Sequence, residues 1–361
     1  MVLQRRRRAQ TVSDPALQEG VDHVERTLRP QHLQEYIGQE KMKSHLRVHM
    51  AAAKKRKEPL GHTLLHGPPG LGKTTLAHVI AREMATRIRV TSGPALEKPG
   101  DVASLLTNLQ AGDILFIDEV HRLRPPLEEI LYGAMEDAVL DIVIGKGPTA
   151  RSVRLQLQPF SLIGATTKVG SISAPLRDRF LHVFKLGFYS AVEMESIVER
   201  AADILYVPLG AGAARLLAEA SRATPRVGNR LIRAVRDFAE VRGVSPVDLS
   251  TVEETLRSLE IDREGLDATD HRVLRTIVES FAGGPVGLST LAAILAEEEE
   301  TLEEVYEPYL LQQGYLQRTP KGRIATPKAY QKVGIPLPAS VQSVLLPVRP
   351  SFTLPAHNEH N

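Results

Sequence analysis

The chain has 361 residues, 42% of them hydrophobic, enough for two or three ordinary cores at ~150 residues per domain. Lysine and arginine total 45 against 43 acidic residues, a formal charge of +2, so no global field selects a polyanion and any nucleic-acid contact must be a local patch. The absence of cysteine excludes a disulfide scaffold, thiolate-held zinc and thiol catalysis, and fits a reducing, cytoplasmic compartment. No apolar run approaches the ~20 residues of a membrane span. Arg5–Arg8 is followed by neither an apolar stretch nor a small-residue cleavage site, so no secretory signal is read.

Residues 1–22 are polar and basic without helical periodicity and read as a flexible tail. The run His62–His66 is a short apolar strand that halts at Gly67-Pro68-Pro69-Gly70, and from Thr74 the residues Leu76, Val79, Ile80 and Met84 recur at helical spacing. Ile88 and Val90 predict a second strand. Ile114–Ile117, closing on Asp118-Glu119, predicts a third, and Leu162–Ala165, closing on Thr166-Thr167, a further one. Continuously apolar strands alternating with helices mean a parallel sheet covered on both faces. Such sheets bind ligands beyond the carboxyl ends of their strands, where these polar residues fall.

Between 139 and 159 the period changes. Leu140, Ile142 and Ile144 alternate, Gly145-Lys146-Gly147-Pro148 breaks the chain, and Val153, Leu155 and Leu157 alternate again, which predicts an inserted β-hairpin. Insertions are ordinarily solvated excursions, but an apolar face on one also suits a partner. From 190 to 261 the pattern is helical, with Val227, Leu231, Ala234, Val235 and Phe238 on one stripe. After a break at Asp262–Asp267, the segment 262–336 reads as short helices. There Thr301–Glu304 has the form of a capping box opening a helix with Leu302, Val305, Tyr306, Tyr309 and Leu310 on one face. A basic turn follows, Arg318-Thr319-Pro320-Lys321-Gly322-Arg323, and helices ending in a basic hairpin predict a winged helix. Residues 337–361, rich in proline, read as a second flexible tail.

Gly67–Thr75 fits G-x-x-x-x-G-K-[ST] between a predicted strand and a predicted helix. The glycines let backbone N–H groups turn in around phosphate, and the helix N-terminus adds a favourable dipole. Lys73 is placed to reach the β- and γ-phosphates of ATP and the Thr74 hydroxyl to hold Mg²⁺. In the same sheet, Asp118 would hold the magnesium shell and Glu119 orient and deprotonate the attacking water. Thr166 or Thr167 is placed to touch the γ-phosphate or that water. Arg177 and Arg179 follow, either of use in neutralising transition-state charge at this site or a neighbour's. Arg226, in the first turn of a helix begun by Thr224-Pro225, would point off that helix start. Residues 317–332 hold Arg318, Lys321, Arg323, Lys328 and Lys332 and no acid, suited to a duplex backbone, although a charge run is ordinarily a solvated face.

The phosphate loop, Ile-Asp-Glu-Val-His-Arg-Leu (117–123), Gly-Ala-Thr-Thr (164–167), Pro-Leu-Arg-Asp-Arg-Phe and Arg-Thr-Pro-Lys-Gly-Arg together resemble the RuvB family of AAA+ Holliday-junction branch-migration motors, from about Leu28 to Pro336. Thr91-Ser-Gly-Pro, Glu97-Lys-Pro-Gly-Asp and Gly283-Gly-Pro-Val-Gly-Leu resemble that family rather than AAA+ proteins at large. The resemblance implies an α/β AAA+ ATPase domain (23–189, with the hairpin at 139–159), a small helical lid (190–261) and a winged-helix DNA-binding head (262–336). It further implies a homohexameric ring on double-stranded DNA at Holliday junctions, with ATP and Mg²⁺, with RuvA docked on the hairpin and with the RuvC resolvase complex.

By motif, Leu28, Arg29 and Tyr189 would line the adenine pocket, and Gly70, Lys73, Thr74 and Thr75 bind phosphate and Mg²⁺. Asp118 and Glu119 would form the Walker B pair, Thr166 or Thr167 the first sensor, Arg226 the second, and Arg179 the finger offered to a neighbour. Glu136, Asp137 and Ala138 are assigned to the nucleotide site, and Arg318 and Arg323 to DNA. The chain departs from the family at Leu181, after Phe180 where glycine is usual. It departs again at Gly133 for proline, Lys168 for arginine and Ala223 for glycine. The alternatives are a AAA+ transcription activator, which needs a sigma-contacting loop that is not found, and a clamp-loading or remodelling AAA+ machine.

Overall fold

The computed structural model describes residues 27–144 and 151–338, which fall into two compact units, Met1–Gly265 and Leu266–Asn361. The tail expected at 1–22, the residues of the other tail from 339 onward, and the Gly145–Pro148 turn lie outside the described residues.

The first unit is built on a five-stranded sheet of β1 (Thr63–His66), β2 (Ile88–Ser92), β3 (Ile114–Asp118), β6 (Ser161–Thr166) and β7 (His182–Lys185), in the order β2-β3-β6-β1-β7 and parallel throughout. Its central strands are apolar on both faces because both faces are covered. Leu65, Phe116 and Ile163 pack with Leu46, Leu76 and Ile80 on one side. Their chain neighbours Leu64, Leu115, Ile117 and Leu162 pack with Leu131, Leu176 and Phe180 on the other. The two-residue period of a strand sorts consecutive apolar residues into two cores. The edge strands lack one neighbour, and Val90 and Val183 are accordingly about half exposed.

Helix α1 (Glu40–Arg56) precedes β1, and α2 (Lys73–Met84) leaves the phosphate loop. Helices α3 (Pro99–Thr107) and α4 (Pro125–Asp137) flank β3, and α5 (Ala174–Asp178) precedes β7. The expected hairpin forms: β4 (Val139–Ile144) and β5 (Arg151–Gln156) pair antiparallel with Leu140 opposite Leu155 and Ile142 opposite Val153. Arg154 braces it part-way along with a two-pronged bond to Asp141, its cross-strand neighbour.

Four helices complete this unit: α6 (Ala191–Ile204), α7 (Ala213–Glu219), α8 (Pro225–Arg242) and α9 (Leu249–Ser258). A reciprocal capping box, Ser190 with Glu193, starts α6. Leu231 and Val235 of the expected stripe are fully buried, while Val227, Ala234 and Phe238 are half-buried at its margin. Leu231, Val235 and Val227 pack with Val198, Leu217, Val252 and also Leu28, which crosses to this core from the start of the described chain.

The second unit has a helix over Ala268–Arg275 running into a π-helical turn at Thr276–Ser280, and another over Leu288–Leu295. After a third helical stretch comes the hairpin of β8 (Leu316–Thr319) and β9 (Gly322–Ala325), then Pro327–Val333. Val286 bridges Arg323 as a third extended segment, completing a winged helix. The capping box expected at Thr301 is not there. The helix already begins at Glu299, Thr301 is helical, and Leu302–Tyr306 is a π-turn. The wider turn rotates the face, so that Leu302, Tyr309 and Leu310 are buried while Val305 is half exposed.

Candidate functional site: a phosphate cleft under a helical lid

The carboxyl ends of β1 and β3 open into a cleft of about 280 Å³ lined by Gly70, Gly72, Lys73, Thr74, Thr75, Asp118, Glu119, Thr167 and Arg226, with Arg29, Ser92 and Asn229 at its margins. Gly70 (φ 80°) and Gly72 (φ 91°) hold the loop in left-handed conformations that only glycine adopts freely. A Cβ at Gly72 would also lie 2.9 Å from the Tyr36 hydroxyl. Lys73 is only 8% exposed, and its ammonium donates to the Gly67 and Pro68 carbonyls at 2.7 and 2.9 Å. A buried ammonium in a loop of inward-facing backbone is a phosphate ligand held ready. Burial, with Lys185 and Lys73 nearby, lowers the His66 pKa, so that ring adds no charge at neutral pH.

Thr74 Oγ1 donates to Asp118 Oδ2 at 2.9 Å, while Asp118 Oδ1 accepts the Glu119 amide at 3.0 Å. A hydroxyl and a carboxylate meeting beside a phosphate loop are the oxygen donors Mg²⁺ takes when phosphate oxygens and water supply the rest of its shell. Glu119 adopts a left-handed backbone (φ 49°), and its carboxylate lies 3.7 Å from the Arg122 guanidinium. Thr167 lines the cleft, and its Oγ1 is buried and without a hydrogen-bond partner among the described residues. Thr166 does not line the cleft. Its hydroxyl sits 3.0 Å from His121 Nδ1 and accepts the Lys168 amide at 2.9 Å. Of the two threonines that the sequence leaves open, Thr167 is the one that lines the cleft.

The lid closes the other side. Helix α8 begins at Pro225 without a side-chain cap, because Thr224 Oγ1 donates back to the Ser221 carbonyl at 3.3 Å. The helix start instead meets the phosphate loop through main chain, the Arg226 amide donating to the Gly70 carbonyl at 3.4 Å, which sets Arg226 beside that loop. An adjoining pocket is lined by Leu28, Arg29, Tyr36, Ile37, Tyr189, Ile197 and Arg200 and suits a flat base. The Tyr36 and Tyr189 hydroxyls meet at 3.3 Å, both reaching the Leu71 carbonyl at 3.2 Å, and burial pushes Tyr189 up to about 12. Tyr36, Ile37 and Asn229 are lining residues that sequence reasoning missed, since no motif or spacing distinguishes them. Ala223 occupies φ 52°, which explains why glycine is usual there: a Cβ in this region costs about 1–2 kcal/mol.

Glu136, Asp137 and Ala138 lie at the end of α4, outside both pockets. Arg179 is likewise outside, its guanidinium 2.5 Å from Glu136 Oε2. In the second unit, Arg318 is half exposed and bonds Glu303 at 2.7 Å. Arg323 does not stand out as the wing cation expected from the sequence. It is 8% exposed, with Nε and Nη2 both 2.8 Å from Glu307. Directly opposed in the hairpin register, the two arginines thus sit in different environments. Burial makes Arg323 a structural ion pair that Glu307 would have to release before it reached DNA.

A parallel sheet carrying a phosphate loop, an acidic pair on the next-but-one strand and a helical lid over the loop defines a AAA+ P-loop ATPase. Residues 28–186 match the model of the Holliday junction DNA helicase RuvB P-loop domain, 189–262 the RuvB AAA lid domain, and 263–334 the RuvB C-terminal winged helix domain. The chain belongs to the RuvB family. It is similar to the Thermotoga maritima RuvB Holliday junction branch migration motor, with 49% identity over 86% of this chain and 100% of that one and a TM-score of 0.79. Two mutants of that protein match at 50% identity and TM-score 0.80, over 86% of this chain and 99% or 100% of theirs. Among the described residues no helix is long and apolar enough to cross a membrane.

Proposed function

We propose that this chain is an ATP-driven motor for Holliday-junction branch migration, working as a hexameric ring on duplex DNA together with RuvA and the RuvC resolvase complex. The observation that carries the ATPase part is the Thr74–Asp118 hydrogen bond inside a cleft that Lys73 and Arg226 enter from opposite sides. Adenine lies between Leu28, Arg29 and Tyr189, and the phosphates thread past Gly70 to Lys73, Thr74 and Thr75. Thr74 and Asp118 would hold Mg²⁺, which would supply neutralisation of the charge on the phosphates and the leaving group. Glu119 orients the attacking water and takes its proton, Thr167 grips the γ-phosphate, and Arg226 reports its presence to the lid.

Arg179 lies outside its own cleft and pairs with Glu136, which supports a role for it, with Glu136, Asp137 and Ala138, at the site of the adjacent subunit. Loss of the γ-phosphate removes a ligand that favours one lid angle, and that difference in binding is what moves the ring. The exposed Arg318 and neighbouring Lys321 supply sequence-tolerant phosphate contacts, and the 139–159 hairpin is the docking element for RuvA. Unwinding of a synthetic four-way junction, with and without RuvA, tests the reading. Junction movement that needs ATP and is lost in Glu119→Gln supports it. Turnover stimulated only by proteins, or a head that binds a single promoter sequence, overturns it in favour of another AAA+ class.

A further inference from the structure

Beyond Ile117 opposite Gly164, the register between β3 and β6 runs out, and the mouth of the cleft opens between them. A side-chain hydrogen bond spans that opening, His121 Nδ1 to Thr166 Oγ1 at 3.0 Å, between residues 45 apart in the chain. His121 lies on the short turn Val120–Arg122 that follows Glu119 directly, and Arg122 N–H closes this turn on the Glu119 carbonyl at 2.9 Å. Thr166 directly precedes Thr167. Its hydroxyl accepts the Lys168 amide, is 1% exposed, and has one proton left to give. The contact therefore ties the turn that follows Glu119 to the residue next to Thr167, without itself lining the cleft.

We propose that His121 is a positioning residue: through the Thr166 hydroxyl it fixes the distance between the Glu119 carboxylate and Thr167 Oγ1, and so sets the water against the γ-phosphate. This rests on the ATPase reading above. The left-handed backbone at Glu119 makes such a brace necessary. That conformation is disfavoured for a residue with a Cβ and persists only when its surroundings hold it. The Glu119 carbonyl is also pressed against Gly93, where a Cβ would come within 2.4 Å of it. With the turn fixed at its backbone, the side-chain contact decides its angle to β6. A shift of about 1 Å between catalytic groups can cost about a hundredfold in rate.

The test is steady-state ATP turnover and equilibrium nucleotide binding for His121→Ala, His121→Asn, Thr166→Val, Thr166→Ser and the His121→Ala/Thr166→Val double variant, with Glu119→Gln as reference. Expected is a fall in kcat of about ten- to a hundredfold in His121→Ala and Thr166→Val at nearly unchanged Kd and KM. The double variant should be no worse than either single one, since both break the same contact. Asn, whose amide reaches the place of Nδ1, and Ser, which keeps the hydroxyl, should restore much of the rate. Full activity in His121→Ala, additive losses in the double variant, or a parallel loss of nucleotide affinity and thermal stability without rescue by Asn would each overturn the proposal. The ATPase reading fails separately, if Glu119→Gln hydrolyses ATP as fast as the unaltered protein.

Discussion

The backbone nitrogen of Arg226 donates to the Gly70 carbonyl at 3.4 Å, so that the lid helix and the phosphate loop are joined through main chain. A second main-chain bond, from the Tyr189 amide to the Ala223 carbonyl at 3.2 Å, anchors the lid where it leaves the sheet. A lid held at two backbone points has few ways to move, and a phosphate entering between Lys73 and Arg226 acts on one of them directly. The residues on the two sides of that cleft then have separable roles.

Lys73 is the lysine among the described residues that lines the phosphate cleft. Lys73→Ala is expected to abolish hydrolysis in its own subunit and to weaken nucleotide binding, because the Gly67 and Pro68 carbonyls lose the ammonium they hold. ATPase assays paired with nucleotide titration calorimetry measure both effects. Retention of more than a few per cent of the rate would contradict this role.

Arg179 lies outside its own cleft, so Arg179→Ala should bind ATP normally yet turn over about a thousandfold more slowly in uniform rings. Mixing these subunits with Lys73→Ala subunits should restore part of the activity, since each supplies what its neighbour lacks. Rings shown by mass measurement to be mixed, yet inactive, would argue against a shared site.

The wing offers a sharper contrast. Arg318→Ala should weaken duplex binding evenly across sequences and reduce the salt slope by about 1, with little change in melting temperature. Arg323→Ala takes both close hydrogen bonds from the buried Glu307 carboxylate, leaving it Arg318 Nε at 4.0 Å, and should destabilise the head by about 3–5 kcal/mol. Adding Glu307→Met should recover much of that stability. Calorimetric melting and DNA titration in several salt concentrations separate the two cases.

The His182 and His49 rings lie 3.9 Å apart, and burial together with His49 lowers His182 from 6.5 to about 4. The unfolded chain therefore binds a proton at His182 before the folded one does. Stability from this site is complete above about pH 6.5 and is lost as pH falls toward about 4. Urea unfolding at about pH 7 and about pH 5 should show a smaller difference in His182→Asn than in the unaltered protein.

Much of this arrangement follows from local chemistry. Gly67–Thr75 can hardly be anything but a phosphate loop, because its glycine φ angles and the helix that follows are properties of the segment itself. Four of the five strands of the sheet and the alternation at Leu140 and Val153 are equally legible, since burial on two faces or on one writes directly into the period of apolar residues. The edge strand His182–Lys185, largely exposed, carries no such run and is not predicted from the sequence. Choices made between distant segments were not legible in this way. Whether Thr166 or Thr167 faces the cleft depended on His121 capturing one hydroxyl. Whether Arg323 or Arg318 stays exposed depended on Glu307, sixteen positions away, lying beneath one strand of the hairpin. The Thr301 capping box dissolved because packing of Leu302 and Tyr309 against the head core favours a helix that starts earlier and widens by one residue. A residue's period records how much of it is buried, but not which partner buries it, and that partner exists only once the chain has closed on itself.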